Sequence, residues 1–447
     1  MKSYGIDFGS TNSLISYFDG SSVHVLPIEE NESKIIRSVI YVHPKKGKFV
    51  GNRAILEYLE DVANGKPLKL VEKNTGRMIK VPKPMGMGGY RGEMWVPEII
   101  MVEDGDRGRL LQGLKSLLTS QYSGTDLFGE HHTLEDMLAI ILGEIKRRAD
   151  SIVGSDVKNV VLGRPVKYVG KDNEKLALER MTEVAKRVGF TNIEFELEPI
   201  GAALSYGETN KNSELALIFD FGGGTLDISI ISFPSGKVLG VAGIGIGGDL
   251  INIQIFHDKL LKYFGGKSKF GLNNQELPRF IVNALQNWYS LSLMKTQSFM
   301  ETLENLRQLA DDKKPIKRLE DLIVYNLGFA LYEVIDKTKK ALSFEEKEYL
   351  FFNQQSIQID ELLTRADLNI ILQNLLIKIE NCVEESLKIS GVSPSQINKV
   401  VLTGGSSLIP SVKEILELKF GKNKLHETDV FESVVRGLGI KARQVFS

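Results

Sequence analysis

The chain has 447 residues, 42% of them hydrophobic and 25% charged, the composition of a globular protein with room for two to four domains. Its 56 lysines and arginines balance 57 aspartates and glutamates, so no basic field points to nucleic acid. No apolar run approaches the ~18 residues of a membrane span, residues 4–17 alternate like a strand rather than a leader, and a lone Cys382 excludes an internal disulfide, so a reducing cytoplasm is expected.

Residue 4 opens an apolar strand that ends in Asp7 and turns through Gly9-Ser10-Thr11-Asn12 into a second strand. Up to about residue 27 the pattern stays strand-like, with a turn at Asp19-Gly20-Ser21-Ser22 and a strand over 23–26. Residues 33–50 continue in that fashion. Residues 64–108 change character: Gly, Pro, Lys and Met dominate, and 83–89 are the loosest part, so the segment is either a mobile loop or an inserted subdomain. Residues 133–151 place Leu134, Met137, Leu138, Ile141, Leu142 and Ile145 at helical spacing. A strand at 157–162 stops at Gly163-Arg164-Pro165, a helix over 173–188 ends at Gly189, and a strand near 193–195 leads to the turn Glu198-Pro199 and a small-residue helix at 200–204.

About two hundred residues after the first turn, its plan returns: an apolar strand ending in Asp220, the turn Gly222-Gly223-Gly224-Thr225, and a strand opening with Leu226-Asp227. From about 250 to 390 the pattern is mostly helical, broken by Gly265-Gly266, by Lys313-Lys314-Pro315 and by a strand-like stretch at 349–359. A last strand at 400–402 runs into Thr403-Gly404-Gly405-Ser406-Ser407 and a helix over 409–420. Strand–turn–helix segments alternating with hairpins indicate α/β lobes with mixed sheets.

Tight glycine turns let backbone N–H groups approach phosphate oxygens where a Cβ would stand in the way. Ser10, Thr11 and Thr225 add hydroxyl donors; Asp7 and Asp220 arrive where Mg²⁺ could be held through its waters; Asp227 is a third carboxylate for the metal shell or an attacking water. One such hairpin would be an ordinary turn, but two with matched spacing form a phosphate clamp between two lobes. Gly404-Gly405-Ser406 is either a third backbone–ligand contact, for a nucleoside, or a simple strand-to-helix turn. Cys382 on an apolar helix face reads as core, His131-His132 lack ligand-spaced partners for a metal, and Lys313-Lys314 with Asp311-Asp312 read as a solvated turn between helices.

The two hairpins, Glu198-Pro199 before Ala202-Ala203, and the Gly404-Gly405-Ser406 turn together resemble the ATPase domain of DnaK-type (heat-shock seventy) chaperones, a branch of the actin-like superfamily. The resemblance runs from Tyr4 to about Arg443, and the insertions and stopping point are most similar to the YegD-like proteins. It implies an actin-like α/β fold: two lobes, each with a mixed five-stranded sheet flanked by helices, plus inserted subdomains. Lobe I would span 1–200 with an insert at about 33–132, residues 425–447 returning to it; lobe II would span 201–424 with a helical insert at about 250–345.

The resemblance also implies roles. Asp7 and Asp220 match magnesium-associated aspartates. Gly9, Ser10, Thr11, Asn12, Gly222, Gly223, Gly224 and Thr225 match phosphate contacts. Lys115 matches a catalytic lysine that steadies the γ-phosphate, Glu198 a glutamate that positions water, and Asp227 stands nearby in that role. Gly247-Gly248-Asp249 resembles a glycine turn between the hinge and the phosphates; Asp336, Lys339, Lys340 and Ser343 line up with a helix contacting adenosine, and Gly404, Gly405 and Ser406 with the adenosine-side turn. The cofactors implied are ATP or ADP with Mg²⁺, with slow hydrolysis of ATP. The partners implied are the nucleotide and an unidentified protein partner or co-chaperone, with neither nucleic acid nor membrane; the oligomeric state is not implied.

Some positions depart from the family. Leu408 and Lys340 stand where arginines usually face the adenine, Asp336 where a glutamate is usual, Arg37 where a proline is common and Asn252 where an aspartate is. Lysine lacks the flat guanidinium, so stacking on the base is reduced while the phosphate chemistry is untouched. With the chain ending at Ser447, no client-binding domain is expected, and ATP would be read out through lobe closure. Three rival readings are a nucleotide-sensing switch with little hydrolysis, a filament-forming actin relative, and a sugar kinase, for which no sugar-pocket motif is visible. The helical stretch holding Trp288, Tyr289, Leu291, Leu293 and Met294 is either a partner surface or local core.

Overall fold

In the computed structural model, residues 1–64, 70–82, 93–103, 108–168, 173–209, 212–285, 297–427 and 432–447 are described. Two sheets of one plan organise them. In the first, Ser3–Phe8 pairs antiparallel with Asn12–Phe18, and that strand with Val23–Val25; Asn159–Arg164 and then Asn192–Leu197 extend the other side in parallel. In the second, Glu214–Phe221 pairs antiparallel with Leu226–Phe233, and that with Lys237–Ile244; Lys399–Thr403 and then Leu425–Glu427 extend it in parallel. Tight turns give the antiparallel neighbours, whereas each first parallel partner lies across a long insertion that includes helices. The repeat seen as a turn motif is therefore a repeat of whole sheets. The second sheet has the five strands expected. The first carries a sixth, the two-residue Ile36–Arg37 against Asn12 and Ser13.

Side-chain alternation places the cores. Tyr4, Ile6 and Phe8 bury one face of the first sheet against the helix Leu134–Val153, whose Leu134, Met137, Leu138, Ile141, Leu142 and Ile145 are all buried as their spacing predicts. Thr133 and Asp136 cap that helix reciprocally. Leu217, Phe219 and Phe221 bury the second sheet in a larger core that includes Cys382, in the helix Arg365–Ser390.

Between the sheets, two helices cross. Glu198–Thr209 and Ser433–Phe446 meet at small residues, and a Cβ added to Gly437 would lie 1.6 Å from the Gly201 carbonyl oxygen. A Cβ on Gly5 would lie 2.3 Å from the backbone nitrogen of Gly439, so the last helix rests directly on the first strand. Ala202, Ala203, Val434, Leu438 and Ala442 pack there with Val161 of the first sheet and Ala216 and Ile218 of the second.

Several expectations change. Of the two alternatives for residues 64–108, a loop or an inserted subdomain, the described part has the regular structure of the second: a long antiparallel ribbon, Leu70–Pro82 against Glu93–Glu103. Residues 83–89 and the Trp288–Met294 group lie outside the described residues. Leu425–Glu427 belongs to the second sheet, and among the described residues after it the return to the first is made by Ser433–Phe446. Glu198-Pro199 is the opening of a helix, not a turn before one. The stretch at 349–359 is a full hairpin, Lys347–Gln354 with Ile357–Thr364. Lys313 and Lys314 begin the helix Lys313–Val324, capped by Asp312. Among the described residues no helix is long and apolar enough to cross a membrane.

Candidate functional site

The two matched turns face each other across a cleft enclosing about 220 Å³. In the first hairpin Asp7 pairs with Leu14; at the equivalent rung of the second, Asp220 pairs with Asp227. The first turn is tight enough that a Cβ on Gly9 would sit 2.2 Å from the Asn12 carbonyl oxygen. The turns also touch: a Cβ on Gly223 would come within 2.7 Å of Thr11 Oγ1.

The second turn is held from behind. Gly222 N–H donates to the Thr225 carbonyl at 3.0 Å, and its own carbonyl accepts from Gly248 N–H at 3.0 Å and from Ser406 Oγ at 2.9 Å. Asp249 N–H donates to the Gly223 carbonyl at 2.8 Å. These approaches explain the glycines behind the turn. A Cβ on Gly247 would meet Gly223 O at 2.2 Å, and Gly404, at φ +74°, would bring one within 2.4 Å of Phe221 O. The carbonyls are thus committed to protein. Among the described residues the backbone N–H groups of Ser10, Thr11, Gly223 and Gly224 donate to no protein acceptor, leaving a ring of donors on the cleft wall.

Between the turns stand the charged groups. Lys115 lies on the short 3₁₀ turn Leu114–Leu117, entered through Gly113 at φ +70°, and not on the surface of an amphipathic helix. It is only 8% exposed, and its ammonium donates to Glu198 Oε1 at 3.0 Å. Glu198, the first residue of its helix, is 9% exposed. Asp227 is buried, and its Oδ1 accepts from Val166 N–H at 2.6 Å. Burial and the charge of Glu198 push Asp7 up to about 8 and Asp220 up to about 7, and the same causes hold Asp227 well above the usual carboxylate range. Burial opposes the charge on Lys115, but Glu198, Tyr168 and Asp7 together hold its ammonium above the ordinary lysine range. The ensemble is one cation among carboxylates that resist ionising together. A divalent cation fits such a place.

At the far end lie Asp336, Lys339 and Lys340 of the helix Gly328–Ala341, with Ser343 just beyond. Lys339 Nζ donates to Asp336 at 2.8 Å and to the Gly248 carbonyl at 3.1 Å, and Lys340 pairs with Asp336 at 2.6 Å. Burial would raise Asp336, but the two ammonium groups win and hold its carboxyl below the ordinary range. Asn252 Nδ2 adds a donor to Asp336 at 3.2 Å, which an ionised aspartate in its place could not do. The Lys340 side chain is otherwise 65% exposed.

The cleft gathers Asp7, Gly9, Ser10, Thr11, Asn12, Lys115, Glu198, Asp220, Gly222, Gly223, Gly224, Thr225, Gly248, Asp336, Lys339, Lys340, Ser343, Gly404, Gly405 and Ser406 onto one wall-to-wall surface. Two expected residues stand behind it instead: Gly247 backs the second turn, and Asp227 lies under Val166. Sequence reasoning missed Tyr168, Pro165 and Ile409 as lining residues, and gave Asp249 no role beyond ending its glycine turn. The Asp249 carboxylate accepts from Thr11 Oγ1 at 3.2 Å, joining the two turns, and burial pushes it up to about 6. Its signal was the carboxylate directly after Gly247-Gly248. Outside the cleft, Arg37 makes a bidentate pair with Glu333 at 2.7 and 2.8 Å, and Tyr58 OH donates to the Asn326 carbonyl at 2.6 Å, so two segments about 270–300 residues apart in sequence are clasped together.

Residues 118–297 and 304–446 match the family model described as Hsp70 protein. Two curated relatives, each named Chaperone protein DnaK and each from a strain of Thermus thermophilus, are 24% identical to the chain over 457 residues, covering 99% of it. The chain spans about 60% of the length of these relatives.

Proposed function

The chain belongs to the Hsp70 family, and from that premise we propose that it binds ATP and ADP with Mg²⁺ in the central cleft and hydrolyses ATP slowly. Its fold is the actin-like ATPase fold of that family. The observation that carries the proposal is the pair of facing glycine turns with uncommitted N–H donors and the buried Lys115–Glu198 pair between them.

Among the described residues no three His, Cys, Asp or Glu side chains converge as direct metal ligands, so Asp7 and Asp220 would hold Mg²⁺ through its water shell. The ion would neutralise charge on the phosphates. The N–H groups of Ser10, Thr11, Gly223 and Gly224, with the Thr225 hydroxyl, would grip the β- and γ-phosphates. Lys115 would present its ammonium to the transferring phosphoryl group, where charge grows in the transition state. Glu198, tethered to Lys115, would orient the attacking water, and Asp227, fixed by Val166 N–H, would support that position from below. Asp336, Lys339 and Ser343 would meet the ribose and base. Closure of lobes spanning 1–200 and 201–424 about the crossed helices would then be the signal read by a protein partner.

The proposal is tested by equilibrium binding of Mg-ATP and Mg-ADP together with single-turnover hydrolysis. Binding with slow turnover supports it, and turnover no faster than in buffer leaves only a nucleotide-sensing switch. The satisfied Lys115–Glu198 pair favours that second reading, because the ammonium has to be shared before it can serve a phosphate.

The carboxylates give a pH test. Asp7, Asp220 and Asp249 hold protons in the folded chain up to about 8, 7 and 6, whereas unfolded aspartate loses its proton near ~3.9. The folded state therefore binds more protons between those limits. The stability contribution is full below about 4 and falls as pH rises toward about 8. A divalent cation stabilises the ionised carboxylates and cancels the loss. Thermal unfolding should thus show a larger Mg-ADP-induced rise in Tm at about pH 8 than at about pH 6, and Asp7→Asn should flatten the difference. An equal rise at both would contradict the charged cluster as the metal's seat.

A further inference from the structure

A second cavity, of about 420 Å³, lies where the helices Gln297–Leu309 and Lys313–Val324 meet the turn of the hairpin 347–364, and none of its lining residues lines the central cleft. Its walls are Arg307, Lys313, Lys314, Lys317, Arg318 and Ser356. Five cations and a hydroxyl surround it, and no carboxylate lines it, in a chain that carries 57 acidic residues. We infer that this cavity binds clustered phosphate groups, either as a small polyphosphate anion or on a phosphorylated protein segment.

The positive charge here opposes its own surroundings. Lys313, Lys314, Lys317 and Arg318 occupy the first six residues of the helix Lys313–Val324, the end whose dipole repels cations and attracts anions. The sequence therefore works against its own helix at this place. Nearby acids relieve the conflict only in part: they pair with Arg307 and Lys317 and, among the described residues, leave the other three cations without a carboxylate partner. Asp311 accepts from the N–H groups of Lys269 and Asp312, and Asp312 caps Lys314 N–H at 2.9 Å. Glu304 and Glu320 are taken by Arg307. Asp321 pairs with Lys317 at 2.7 Å and accepts from Ser356 N–H at 3.3 Å. Arg318 lies over the Tyr263 ring, 5.7 Å from its centroid. Lys313, Lys314 and Arg318 form no ion pair among the described residues. Arg307 and Lys317 carry carboxylate partners and Arg318 lies over a ring, so what remains is the two point charges of Lys313 and Lys314 with the Ser356 hydroxyl. That donor set suits phosphate oxygens better than planar carboxylates, which guanidinium forks match. The volume admits a small polyanion.

Calorimetry with tripolyphosphate tests the inference, using the wild type, the double variant Lys313→Ala/Lys314→Ala, and Gly223→Val, which obstructs the central cleft. Both lysines are exposed, so the double variant should fold as the wild type does. Loss of at least about tenfold in affinity in the double variant, with a shallower salt dependence and an unchanged response in Gly223→Val, is the expected result. Titration with a phosphoserine peptide and its unphosphorylated form distinguishes the two sources of phosphate. The inference is overturned if only Gly223→Val loses binding, if neither variant does, or if hexaglutamate binds as tightly as tripolyphosphate.

Discussion

Lys115→Ala is expected to slow single-turnover hydrolysis of ATP by ~10²–10³-fold while changing nucleotide affinity by less than about tenfold. The ammonium is the cation that the structure places among Asp7, Asp220 and Glu198, and it is held there by an ion pair rather than by solvent. Removing it takes away the charge that would meet the transferring phosphoryl group, and leaves Glu198 buried without its partner. The second effect is one of stability, since breaking a buried pair from one side costs ~3–5 kcal/mol. The two effects separate in Lys115→Ala/Glu198→Gln. The double variant should recover most of the lost stability, because no unpaired charge remains, and none of the turnover. A Lys115→Ala protein that hydrolyses ATP at the wild-type rate would remove Lys115 from the chemistry altogether.

Gly437→Ala is expected to destabilise the chain by ~3 kcal/mol or more, beyond the usual range for one added methyl in a packed core. The new carbon would fall 1.6 Å from the Gly201 carbonyl oxygen, where backbone faces backbone and no side chain can turn aside. The crossing helices would have to separate, and they are the elements that join the two sheets. Gly143→Ala is the control. It lies inside the helix Leu134–Val153, where the nearest atom to its Cβ would be 3.4 Å away on the Val188 side chain, so replacing it should be neutral or stabilising by ~0.5–1 kcal/mol. Urea unfolding of the two variants beside the wild type measures the contrast. Equal stabilities would mean that the lobes do not depend on this close crossing.

What the sequence carried was local. Each Asp–Gly–hydroxyl turn lies within a dozen residues, so its spacing alone reported the hairpins, and the repetition reported the two lobes. The helix 134–153 was legible because its buried positions recur at 3.6 residues. The role of Lys115 came only through resemblance. Nothing in its local pattern shows that a left-handed glycine and a 3₁₀ turn aim it inward.

The contacts between distant segments were not legible. Gly201 and Gly437 each read as ordinary small helix residues, and only their meeting shows why neither can grow. Gly247 looked like a phosphate contact, yet its missing side chain makes room for the carbonyl of Gly223. Asp249 was read only as the end of the Gly247-Gly248 turn, although it bonds Thr11 from the opposite lobe. The two hairpins also differ where the turn pattern says nothing: Leu14 and Asp227 occupy equivalent rungs, so only the second lobe adds a carboxylate there. The ribbon Leu70–Pro82 with Glu93–Glu103 was hidden by the glycine-rich run 83–92 between its strands, whose composition reads as a loop.

That the facing glycine turns form the nucleotide site is tested most directly by calorimetric titration of Mg-ADP into the wild type and Gly223→Val. The valine side chain would be driven toward Thr11 Oγ1, which lies only 2.7 Å from where a Cβ on residue 223 would stand. One Mg-ADP is expected to bind per wild-type chain, with a loss of at least about a hundredfold in affinity in the variant and little change in its unfolding temperature without nucleotide. Equal Mg-ADP affinity in the two proteins, or no binding to either, would contradict that assignment.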